Sequence, residues 1–229
     1  MDFSEIKQVQ GFDGQYVKEY TAKNQIVLHH TVSGDGAEGD LNWWKQTKQR
    51  IATAIIIERD GDIYQCFSTK FWGYHIGPVL PSFERFGMRY RKCDPSTIGV
   101  ELDSWGPLLK QGNGYYPVKW NAAEARYEPW YAAGEVSADQ VVEYERPFRG
   151  FRYFEKYRSE QLKSLKDLLQ YWNKYWGIPL AYNKDMWELN RDALAGVPGV
   201  YAHVSFRQDK SDAHPQDELI EMLKSLSNG

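Results

Sequence analysis

Cysteine is nearly absent from this chain. Cys66 and Cys93 are the only two in 229 residues, which excludes a disulfide scaffold and a cysteine-rich zinc module. Charge of one sign is lacking too. The 28 Lys and Arg against 31 Asp and Glu leave a net charge of -3, so no electrostatic footprint for nucleic acid exists. Long apolar runs are missing: the longest, residues 52–57, is strand-sized, and no membrane insertion is expected. The N-terminal MDFSEIKQVQGFDGQY has no basic segment followed by an apolar run. A classical secretory signal is therefore not expected, and the expectation is a chain made in the cytoplasm. No glycine-rich phosphate loop follows a strand pattern, which removes support for nucleotide binding. Histidine is scarce, with 5, whereas aromatics abound, with 9 Trp, 16 Tyr and 10 Phe. The few histidines can therefore be read one by one.

The patterns that remain describe an α/β protein. Gln25-Ile-Val-Leu-His-His-Thr31 reads as a buried strand, and the glycines of residues 33–40 as a loop. Asp40 is placed to cap a helix over residues 41–50. Residues 52–58 and 63–67 form two strands around Arg59-Asp-Gly-Asp62, a strong hairpin signal. Residues 96–103 make another strand. Residues 104–158 are too rich in Trp and Tyr for a disordered linker, and read as an ordered insertion of short strands and turns. In residues 159–176, Leu162, Leu165, Leu168, Leu169 and Trp172 recur at helical spacing, and Gly177 and Pro179 stop the helix. A short strand or loop precedes His203, and a last helix starts near Pro215. The expectation is one domain over residues 1–229: a central mixed sheet flanked by helices, carrying the insertion 104–158.

His29, His30, His75 and His203 fall at candidate strand ends or loops, where rigid scaffolds present reactive groups. His29 and His30 are adjacent on a strand and so point to opposite faces. Asp209 and Asp212 follow His203 within one loop. A catalytic zinc takes three protein ligands and leaves a fourth position for water. One early His with one late His and an acid would supply that set, although no His-x-x-x-His pair on a helix exists here. Taken alone, each of these residues reads first as a hydrogen-bonded His or a solvated loop charge.

Ile26-Val-Leu-His-His-Thr31, Ile98-Gly-Val-Glu-Leu102 and the block from His203 to Pro215 resemble the signature blocks of type 2 zinc-dependent N-acetylmuramoyl-L-alanine amidases. That group includes phage lysozyme-type amidases, bacterial muropeptide amidases and peptidoglycan recognition proteins. The hairpin Ala54-Ile-Ile-Ile-Glu-Arg-Asp-Gly61 is similar to the family's second strand and turn, and the resemblance spans residues 24–226. It implies the same α/β fold, a Zn2+ cofactor and a peptidoglycan or muropeptide substrate. His29 and His203 match its first two zinc ligands. Asp212 matches the third, with Lys210 as a nearby catalytic lysine. The acid stands one position closer to the His than in the muropeptide amidases, which leaves Asp209 and His214 as alternatives. Thr53 stands where some members carry a catalytic Tyr. Members without that Tyr use the Glu of the Ile-Gly-x-Glu-Leu block, here Glu101. His75, in Trp72-Gly-Tyr-His-Ile-Gly77, matches a substrate-side His, and Trp72 is taken with it as substrate-binding.

The resemblance implies hydrolysis of the amide between the MurNAc lactyl group and L-Ala. Zinc would activate water, Glu101 would move its proton and Lys210 would stabilise the oxyanion. The missing leader fits a phage endolysin released through a membrane lesion; it also fits an enzyme of muropeptide recycling, although the long insertion suggests a different or larger substrate. Two rivals remain: a non-catalytic peptidoglycan-binding module on the same fold, and a hydrolase of another amide. Trp72, Tyr74, Tyr115, Tyr116, Trp120, Trp130 and Tyr131 are candidates for lining a groove, though most aromatics are expected to be packing. Both thiols are expected to be structural, with a Cys66–Cys93 pairing left open. Oligomeric state is not readable.

Overall fold

The computed structural model describes residues 3–34 and 36–227. Two strands open the chain, β1 (Lys7–Gln8) and β2 (Gln25–His30). Helix α1 (Glu38–Gln46), the hairpin β3 (Ile55–Ile57) and β4 (Ile63–Gln65), the short α2 (Leu80–Arg85) and β5 (Thr97–Leu102) follow. A sheet lies inside the expected insertion: β6 (Pro107–Gln111), β7 (Gly114–Asn121), β8 (Arg126–Pro129), β9 (Val141–Phe148) and β10 (Phe151–Glu155). The chain ends with α3 (Ser159–Trp176), α4 (Arg191–Ala195), β11 (Gly199–Ala202) and α5 (Asp217–Leu226).

The central sheet runs in the order β1-β4-β3-β5-β2-β11. It is mixed: β3, β5, β2 and β11 are parallel, and β4 turns back antiparallel on β3. Strand β2 is buried along its whole length, which is why it reads as an unbroken apolar run rather than an alternating one. Its side chains still alternate between faces. Ile26 and Leu28 join the large core with α3 and α5, while Val27 joins a smaller core with Phe83, Tyr201 and Phe206. His30 thus follows Leu28, and His29 follows Val27.

Helix α3 covers the residues its periodicity predicts. Gly177 closes it in the left-handed region at φ 72°, where glycine carries no steric penalty. Gln161 in its first turn donates to the carbonyls of Ile57 and Asp103, tying the helix to the ends of β3 and β5. Helix α1 begins earlier than the Asp40 cap predicts. The Ala37 N–H is taken by Glu58 Oε1 at 2.6 Å, and Asp40 accepts from Ser33 instead. A carboxylate from the neighbouring hairpin therefore does the capping.

The insertion is more regular than short strands and turns. It forms a five-stranded antiparallel sheet in the order β8-β7-β6-β10-β9, with Leu108 and Phe154 fully buried. A buried ion cluster joins it to the central sheet. Arg59 of the hairpin turn meets Asp103, just past β5, at 2.7 Å, and Glu155 of β10 at 2.8 Å. Glu155 also accepts the Trp105 N–H at 2.6 Å. Cys66 and Cys93 are both buried and free, so the open pairing is not formed.

Candidate metal centre

Three side chains converge at the end of the central sheet where β2 and β11 finish. His29 is the penultimate residue of β2, and His203 follows β11 directly. The loop after His203 turns back so that the Val204 N–H donates to the Asp212 carbonyl at 3.1 Å. This sets Asp212 Oδ2 at 2.8 Å from His203 Nδ1 and 3.0 Å from His29 Nδ1, with the two ring nitrogens 3.0 Å apart.

The tautomers follow from the far side of each ring. His203 Nε2 lies 2.9 Å from the Ile76 carbonyl, which can only accept, so Nε2 carries the proton and Nδ1 a lone pair. For His29 the argument takes two more steps. The Thr97 hydroxyl donates to the Asp94 carbonyl at 3.0 Å and so accepts from His75 Nε2 at 2.8 Å. His75 Nδ1 then accepts from His29 Nε2 at 2.9 Å, leaving a lone pair on His29 Nδ1. Two lone pairs and a carboxylate oxygen thus face one another with no hydrogen between them, which calls for a cation. Two imidazole nitrogens and a carboxylate oxygen, 2.8 to 3.0 Å from one another, are a donor set of the kind zinc takes.

Electrostatics favour a neutral His29 ring and an ionised Asp212. Burial, then the His203 ring, lowers His29 to about 4. Burial also opposes the Asp212 charge, but His203 and His29 outweigh it and hold the carboxyl well below its usual range. Glu101 stands beside His29 in the β2–β5 register, outside the triangle. Its Oε2 is buried without a hydrogen-bond partner. Burial pushes its carboxyl well above the ordinary range; Asp212 and Asp40 add to this and Lys210 opposes it. A buried carboxyl raised in this way beside a donor cluster is a candidate for proton transfer.

The remaining candidates fall elsewhere. Asp209 is exposed and paired with Arg207, and His214 turns away from the triangle toward Tyr144 and the Glu155 carbonyl. His75 and Trp72, expected on the substrate side, are both buried. His75 is 8% exposed and both its ring nitrogens are engaged, so it supports His29 from behind. Trp72 is buried, donates to Glu19 and lies under the Lys92 ammonium. Reading by motif missed Thr97 and Gly99. A Cβ on Gly99 would lie 2.8 Å from the His75 ring, and a glycine inside a strand is the available signal of such a close approach. A second acidic cluster, Glu58, Asp60 and Asp62, is engaged by the Ala37 N–H and Lys7.

The sequence profile described as N-acetylmuramoyl-L-alanine amidase matches residues 19–215. The chain belongs to this amidase family. Among solved structures, the amidase is similar to the catalytic domain of PlyG at 11% identity, over 97% of this chain and 95% of that one, with a TM-score of 0.51. It is likewise similar to the catalytic domain of XlyA at 12% identity, over 97% and 98%, with a TM-score of 0.50. At such identity the likeness is one of fold, and it supports the mixed α/β class. Among curated proteins no significant match is found. No helix among the described residues of the amidase is long and apolar enough to cross a membrane.

Proposed function

We propose that the chain hydrolyses the amide between the MurNAc lactyl group and L-Ala of peptidoglycan, using zinc held by His29, His203 and Asp212. The single observation that carries this reading is the triangle of facing acceptor atoms, with the orphaned carboxylate oxygen of Glu101 near it. When bound, zinc lowers the pKa of a water to about 7 and polarises the scissile carbonyl. Everything else falls to the chain. His75 and the Ile76 carbonyl hold the two ligand rings in the tautomer that presents Nδ1. Glu101 takes the proton from the attacking water and passes it to the leaving amine of L-Ala. Lys210 is close enough to oppose protonation of His29 and to lower the Glu101 carboxyl. It supplies positive charge for the developing oxyanion. Cell-wall lysis or remodelling follows from the substrate, with release as an endolysin one route to it. The whole described chain serves as one catalytic domain.

Mass spectrometry of purified peptidoglycan digested by the zinc-loaded protein tests this. Free glycan and an intact stem peptide with a new L-Ala N-terminus are expected. A cut in the glycan or within the peptide overturns the assigned bond. Binding without any cut returns the chain to the non-catalytic module.

A further inference from the structure

Asp212 lies in a loop whose preceding residues, 207–211, are partly or fully exposed, yet its carboxylate must be held within tenths of an ångström. One anchor is the Val204 N–H. The other is His214, two residues on, whose ring is fully buried. The ring is sandwiched between Phe154 and Tyr157, with centroids at 4.7 and 4.4 Å and planes within 27° and 28°. Its Nε2–H donates to the Glu155 carbonyl at 3.1 Å, so Nδ1 is left to accept the Tyr144 hydroxyl at 2.7 Å. The His214 backbone N–H donates to Tyr157 Oη at 3.1 Å, and that hydroxyl also contacts His30 Nδ1 at 3.0 Å. Past His214, the Gln216 side chain pairs with both the N–H and the carbonyl of Tyr157. On the other flank, Arg149, between β9 and β10, points its guanidinium at the Val204 and Gln208 carbonyls.

Apart from Val204 and His30, these partners come from β9, β10, the turn between them or the residues just after. The geometry points to the second sheet as a clamp on the third metal ligand: Tyr144 and Tyr157 fix His214, and through it they position Asp212. This rests on the reading of His29, His203 and Asp212 as a zinc site. Tyr144, Tyr157 and His214 are positioning residues; none of them reaches the donor triangle. The physical basis is that partners outside the ligand shell set ligand orientation, and their loss weakens metal affinity about 10- to 100-fold.

The test is zinc affinity of the full chain, measured by competition with a chromophoric chelator. Tyr144→Phe and Tyr157→Phe keep both rings and remove only the hydroxyls. Each is expected to weaken zinc binding about tenfold or more and to shift the visible band of the cobalt-substituted protein, which reports ligand geometry. Tyr131→Phe, on the exposed side of the same lobe, is expected to match wild type in both readouts. If Tyr157→Phe does not fold, Tyr144→Phe decides alone. Wild-type affinity in the variants, with zinc bound normally by wild type, overturns the clamp and leaves the zinc site standing. A wild-type chain that binds no zinc overturns the site, and the clamp with it.

Discussion

Glu101→Gln separates proton transfer from metal binding, because Glu101 lies outside the triangle of donor atoms. Gln keeps the shape of the side chain but cannot take a proton from water. Loss of a positioned general base costs about 10²- to 10⁴-fold in rate, equivalent to about 3–5 kcal/mol of barrier. The zinc content of the variant is expected to equal that of wild type. Stability changes in the opposite sense to activity. The Glu101 carboxyl is raised well above its usual 4.5 in the folded chain, by burial first and then by Asp212 and Asp40. The folded state therefore keeps a proton that the unfolded chain releases, and stability falls as pH rises from 4.5 through the folded value. Gln escapes that loss. The zinc-free variant is expected to melt above wild type at pH 8, with the gap closing near pH 4. Product release followed by mass spectrometry, metal analysis and thermal melts at both pH values measure the three quantities. A zinc-replete variant that cleaves at the wild-type rate refutes the assignment of Glu101. A variant less stable than wild type at pH 8 refutes the account of its burial.

Three further outcomes are expected. Arg59→Met leaves Asp103 and Glu155 buried without their cation, at a cost of about 3–5 kcal/mol. At about 2–4 °C per kcal/mol, the melting temperature should drop by roughly 6–20 °C, and an unchanged melt would show that the cluster is not what joins the sheets. Gly99→Ala drives a methyl to 2.8 Å from the His75 ring. It should cost about 1–3 kcal/mol of stability and weaken zinc binding by loosening His29, as a chelator titration would show. Acid should destabilise the zinc-free protein from pH 6.5 downward, because His29 and His30 are both lowered to about 4 by burial. The unfolded chain binds those protons first, so each group removes up to about 1.4 kcal/mol per pH unit between 6.5 and 4; denaturant melts across that range that stay level would contradict neutral buried rings.

Local pattern carried the elements whose causes are local. Helix α3 starts and stops at Ser159 and Trp176 as its apolar spacing and Gly177 dictate. β2 and β5 are legible because a buried parallel strand is a continuous apolar run. The start of α1 was not legible: Glu58, which takes its first free N–H, lies 21 residues away. The same contrast divides the site. His29, Glu101 and His203 stand in or just after strands whose ends the sequence marks, and the structure brings them together. His75 and Trp72 share a motif-like segment with nothing in it to say which way it faces. The face is decided by Gly99, which lets the His75 ring lie on β5, and by the Val17–Trp72 bridge, which draws Trp72 beneath the N-terminal segment.

The aromatic surplus shows why residue counts underdetermine function. Rings that pack and rings that bind are the same residue types, and burial alone separates them. In the second sheet the separation runs through single neighbours. Phe154 is fully buried against His214, whereas Trp120, Trp130 and Tyr131 face solvent. Tyr144 sits between these classes: its ring packs on Phe154, and its hydroxyl points at His214, 70 residues further along the chain. No periodicity links positions that far apart. The sequence cue that does exist is a histidine two residues beyond the acid, which reads as a candidate ligand until the structure turns its ring the other way. A histidine that packs behind a loop and one that binds a metal carry the same donor chemistry, so sequence spacing could nominate His214 but could not assign it. That assignment depends on contacts with β9 and β10, which the chain builds well before it reaches His214.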